Sequence, residues 1–186
     1  MSNKKLRINN TETDNLISNL RGEIGEIINT WVLARNIMVE ANELKTSDPA
    51  EDIENPRLAI LNTIIDKLED EIVAKLSELS EQKIGQLNFH FVQVKLNNFE
   101  KDVENFQRFV KKNRFHEKRN YDISHKELPE KWAEHKLFLI PYKTLIERIV
   151  TALRLMKKID AEFLGPSSKY LWGEIRKRRY KPLYPA

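Results

Sequence analysis

Arg119 and His125 stand six residues apart in the stretch 118-KRNYDISHKELP-129. Histidine titrates near neutrality and serves as a general acid or base. Arginine keeps its charge and grips phosphate with a two-pronged donor fork. Brought together, the two suit attack of a ribose 2′-hydroxyl on the adjacent phosphodiester. One group handles a proton while the other steadies charge developing on phosphate. That route requires no metal. The plainer reading of the same pair is a cation at a helix C-terminus and a surface histidine.

Other chemistries find less support. A di-iron helical bundle needs Glu-x-x-His pairs, and none of the four histidines has a glutamate three positions before it. Asp122-x-x-His125 comes nearest, so no metal ligand set and no cofactor are expected. The chain lacks a glycine-rich phosphate loop and a G-x-S-x-G turn. It contains no cysteine, which removes disulfides and thiolate metal sites and fits a reducing, cytoplasmic setting.

For Arg119 and His125 to cooperate, the backbone must end or bend between them. On an unbroken α-helix six positions rotate a side chain by about 600°, or 240° net, so the two would diverge. Asn120, Asp122 and Ser124 supply the break, because their short polar side chains compete for backbone hydrogen bonds. Ser124 and Glu127 have capping-box spacing, but Pro129 opposes a regular helix starting there. A loop or irregular turn at the end of a helix is the physical expectation.

The elements that would carry this turn are legible as apolar stripes. Leu16, Leu20, Ile24, Ile27, Trp31, Ala34, Met38 and Ala41 recur at steps of three and four, predicting a first helix of about 30 residues. Turn signals at Asp48-Pro49 and Asn55-Pro56 follow. A second helix carries Leu61, Ile65, Leu68, Ile72, Leu76 and Leu79 and is expected to reach about Leu87. The stretch 87-LNFHFVQV-94 alternates like a short strand, but with no partner strand a bend or continued helix is preferred. Phe99, Val103, Phe106 and Val110 mark a third helix. Pro129 and Pro141 bracket an irregular segment with Trp132 and His135. Leu145, Ile149, Ala152, Met156, Ile159 and Phe163 mark a fourth helix, stopped by Gly165-Pro166. The prediction is all-α: an up-and-down bundle of four long helices with short accessory helices. At 186 residues one domain is expected over 1–186, with 1–12 a flexible N-terminus and 166–186 a basic C-terminal extension.

Charge is unevenly distributed. Glu40–Glu81 holds 12 acidic and 4 basic residues, whereas Arg108–Arg119 and Lys169–Lys181 each hold 6 basic and one acidic. Basic runs concentrate polyanions, although a single run is more often a solvated helix face. Lys111, Lys112, Arg114 and Lys118 in the first run, and Arg176, Arg178 and Arg179 in the second, are the candidate RNA contacts. No uninterrupted apolar run of about 18 residues is present, so no membrane partner is expected. The basic N-terminus lacks the apolar stretch of a signal peptide.

RNYDISH resembles the signature of the HEPN superfamily: arginine, four to six residues, then histidine, with Asn, Asp or His directly after the arginine. The dozen residues of the motif, and the helix layout around them, carry the likeness. It implies an all-α HEPN-like bundle acting as a metal-independent endoribonuclease of toxin–antitoxin, abortive-infection or phage-defence type. It also implies a homodimer whose two motifs share one cleft, RNA as substrate and an antitoxin protein as a candidate partner. By position, Arg119 would contact the scissile phosphate, His125 would be the general acid–base, and Asn120 would orient them. Tyr121, Asp122 and Ser124 would be supporting residues. Glu127 stands where some HEPN toxins carry a tyrosine open to nucleotidyl transfer, so that control is not expected here. The alternative is a non-catalytic dimerisation or protein-binding module with a structural Arg–His motif.

Overall fold

A computed structural model describes residues 11–120 and 140–168 of the chain. The helices are α1 (Thr11–Glu43), α2 (Pro49–Glu54), α3 (Pro56–Leu79), α4 (Phe89–Leu96), α5 (Glu100–Lys112), α6 (Phe115–Lys118) and α7 (Tyr142–Leu164), and the described residues include no strand. The all-α expectation therefore holds. No helix among the described residues is long and apolar enough to cross a membrane.

Local chemistry sets several of the helix ends. Asp48 caps α2 by accepting from the Ala50 N–H at 2.8 Å, with Pro49 in the first turn, where its missing donor costs nothing. Asn55 caps α3 in the same way, accepting from the N–H groups of Arg57 and Leu58. At the other end α3 stops at Leu79, short of the expected reach to Leu87, and Ser80 turns back to donate to the Ser77 carbonyl at 2.7 Å. The stretch read as a possible strand is α4. Buried Asn88 caps it, accepting from Phe91 N–H and donating to the Lys83 carbonyl, both at 2.8 Å. Gly165, at φ 59°, ends α7 where the Gly-Pro pair predicted.

Among the described residues three helices are long, at 33, 24 and 23 residues. The expected third long helix is instead the 13-residue α5 with a short helix on either side. Left-handed residues make the joints: Asn97 and Phe99 before α5, and Arg114 after it. Asparagine tolerates that conformation, but phenylalanine and arginine do not adopt it unaided. Core packing holds Phe99 there, and Arg114 pairs with Glu117 three residues on.

Ion pairs give the helix directions. Arg57 reaches Glu40 at one end of α1 and α3, and Lys75 reaches Glu23 and Glu26 farther along, so the two run antiparallel. Arg21–Asp160 and the Trp31–Tyr142 ring pair make α1 and α7 antiparallel as well. Lys158–Asp102 and Arg148–Phe109 do the same for α7 and α5. Between them lies one apolar cluster that includes Ile17, Leu20, Ile24, Leu76, Phe89, Phe106, Val110, Phe115 and Met156. A smaller cluster of Ala41, Leu58, Leu61 and Ile65 fills the α1–α3 turn. Truncating a buried leucine such as Leu76 costs about 2–5 kcal/mol, in transfer energy and cavity together.

Two charges interrupt this core. Asp160, fully buried, receives both prongs of Arg21 at 3.1 and 2.7 Å. Arg148 is also buried but less well matched. Its guanidinium lies over the Phe109 ring, Thr151 Oγ1 is 3.5 Å away, Glu147 Oε2 is 3.8 Å away, and Nε has no partner.

Candidate functional site

The α6 turn is short, and its place in the molecule is decided by α3. Phe115 anchors it in the core, while His116, Lys118 and Arg119 face the C-terminal half of α3. Past Lys118 the backbone widens into a π-helical turn at Arg119 and Asn120. Single π-helical turns of this kind occur frequently at functional sites. Asn120 is exposed.

Arg119 is not open to solvent like a simple surface cation. Its Nη1 donates to Glu81 Oε1 at 2.7 Å, and Glu81 Oε2 meets Lys83 Nζ at 2.9 Å. Burial pushes the Glu81 carboxyl up, but Lys83 and Arg119 outweigh it and hold the group below the usual carboxylate range. Lys118 likewise reaches Asp70 at 3.0 Å. The acidic block seen in the sequence is thus partly α3 and its end, and it faces the first basic block.

His116 lies one turn before Arg119, with a serine hydroxyl on each ring nitrogen. Ser77 Oγ is 2.6 Å from Nδ1, and Ser80 Oγ is 3.0 Å from Nε2. Ser80 spends its proton on the Ser77 carbonyl, so it accepts from Nε2–H. Nδ1 is then left as the acceptor for the Ser77 hydroxyl. The imidazole is fully satisfied when neutral. Desolvation lowers its pKa, and Arg119 and Lys111 add to the effect against the opposing pull of Glu81.

A polar cleft of about 460 Å³ opens beside this cluster, lined by Glu23, Lys75, Glu78, Leu79, Glu81, Lys83, Gln86, Leu87 and Arg119. Ligand clefts for apolar molecules are walled by hydrophobic and aromatic side chains. This one carries three cations and three carboxylates, several of them paired with one another across the cleft. Among the described residues no group of three or more histidine or carboxylate side chains could hold a metal ion.

Of the predicted site residues, the structure places Arg119 at the cleft and Asn120 on the exposed turn beyond it. Lys111 and Lys112 are exposed in the last turn of α5, Arg114 is exposed but paired with Glu117, and Lys118 is held by Asp70. Tyr121, Asp122, Ser124, His125, Arg176, Arg178 and Arg179 lie outside the described residues. Sequence reasoning missed His116, Ser77, Ser80 and Glu81. A signal was present in Ser77-x-x-Ser80, two small polar residues each directly following a leucine of the α3 core, Leu76 and Leu79. Comparison of the chain with protein-family models, curated proteins and solved structures found no match.

Proposed function

We propose that the chain is a metal-independent endoribonuclease of HEPN type, working as a homodimer in toxin or phage-defence systems. The observation that supports this most is the seat of Arg119: it lines a charged cleft where α6 ends, immediately before the rest of the RNYDISH motif. In this reading the helices form an up-and-down bundle and the two protomers' motifs share one cleft. His125 takes the proton of a ribose 2′-hydroxyl, whose oxygen then attacks phosphorus. The P–O5′ bond breaks, leaving a 2′,3′-cyclic phosphate and, once protonated, a 5′-hydroxyl. Arg119 neutralises charge on the phosphate oxygens as the bond order changes. Asn120 orients the pair, and Lys111 and Lys112 guide the strand.

The test is cleavage of RNA by purified protein in excess chelator. His125→Ala and Arg119→Ala are each expected to lower the rate about 10²–10⁴-fold. Equal rates in wild type and His125→Ala, or no cleavage of varied RNAs, would remove the proposal. One observation favours a second reading, a non-catalytic dimerisation or protein-binding module: Arg119–Glu81 and Lys118–Asp70 also pin α6 to α3 as structural ties. A strict monomer in solution would favour that module, because the shared cleft would never form.

A further inference from the structure

Glu81 sits just past the Ser80 cap of α3, with one carboxylate oxygen on Arg119 and the other on Lys83. An anion bridging two cations through two oxygens is also what a phosphodiester offers with its non-bridging oxygens. The carboxylate is well shielded, its side chain being 12% exposed, whereas Lys83 is 61% exposed. All three residues line the cleft. Glu81 and Lys83 belong to the non-helical link between α3 and α4, which also contains Gly85 at φ 86°, so the carboxylate is not locked in a helix. The other cleft lysine, Lys75, is already engaged by Glu23 and Glu26.

We infer that Arg119 and Lys83 form a phosphodiester-binding site that the Glu81 carboxylate fills when RNA is absent, so that a strand enters by displacing it. The choice of RNA as ligand rests on the ribonuclease reading; the competition between carboxylate and phosphate does not. Removing the negative charge of Glu81 removes the anion that bridges these two cations. Phosphate then binds without first displacing that carboxylate.

The experiment measures binding of a non-cleavable 2′-O-methyl single strand of about ten nucleotides. Glu81→Gln is expected to bind about fivefold tighter than wild type, with the slope of log affinity against log salt steeper by about 0.7. The gain should vanish in Glu81→Gln/Arg119→Ala. Binding by Glu81→Gln that is equal to or weaker than wild type would overturn the inference, leaving Glu81 as a positioning group. A gain that survives loss of Arg119 would also overturn it, as a general charge effect. Should Glu81→Gln fail to fold, Lys83→Ala serves instead: about fivefold weaker binding supports the site, and unchanged binding refutes it. Cleavage of unmodified RNA is scored separately. Tighter Glu81→Gln binding without cleavage by any variant keeps this site and removes the nuclease. Wild-type cleavage lost in His125→Ala, with no gain in Glu81→Gln, does the reverse.

Discussion

Replacing Arg148 with methionine should make the protein more stable. The guanidinium is buried, its Nε has no partner, and its nearest carboxylate oxygen is 3.8 Å away. Burial pulls its pKa from the ordinary arginine value down to about 10, against the opposing pull of Glu147. At 1.36 kcal/mol per unit, that fall caps the penalty on the charge at roughly 3 kcal/mol. Stacking on Phe109 returns about 1–2 kcal/mol of it. A net cost of about 1 kcal/mol remains. Methionine fills a similar length without charge and adapts to irregular space. Urea denaturation followed by tryptophan fluorescence should show a higher midpoint at unchanged slope, and the thermal midpoint should rise by about 2–4 °C. A loss of 1 kcal/mol or more would refute the reasoning. It would mean that the contacts of Arg148 outweigh its desolvation.

Asp160→Asn should do the opposite, costing about 3 kcal/mol, because it breaks a two-pronged pair whose acid is fully buried. Arg21→Met/Asp160→Leu should recover most of that loss in the same urea assay, and a double variant no better than the single would contradict this. His116→Ala should cost about 1–3 kcal/mol by stranding the buried Ser77 hydroxyl. The pKa of His116 is lowered on folding, so its neutral form contributes stability that is full above about pH 6.5 and is lost as pH falls toward the folded value. Urea midpoints between about pH 7.5 and 5 should therefore fall for wild type more than for His116→Ala. Parallel pH dependence would show that the histidine does not contribute.

The long helices were readable because their cores are one-dimensional patterns. The stripe from Leu16 to Ala41 became α1, and the one from Leu145 to Phe163 became α7 with its Gly165 stop. The joints around α5 were not readable, since Phe99 and Arg114 carry no local preference for left-handed backbone, and Phe99 is held there by contacts with the core. Much of the site was hidden for a related reason. Ser77 and Ser80 meet His116 across 39 and 36 residues, and Glu81 meets Arg119 across 38, separations at which no periodicity operates. The charge blocks were visible as blocks, but not that α3 and α6 would set one against the other. Arg119 itself was found by residue chemistry and resemblance.

The same joints determine where the chain can change length. α5 is a rod of about 20 Å, at 1.5 Å per residue. One residue added inside it ahead of Val110 would turn the rest of the rod by about 100° and carry Val110 out of the core. A residue added at 97–99 or 113–114 would be absorbed where the backbone already departs from the helix. Length variation is therefore admitted at the hinges and refused in the rod, and the spacing from Val103 to Val110 becomes a ruler that keeps one face of α5 on the core.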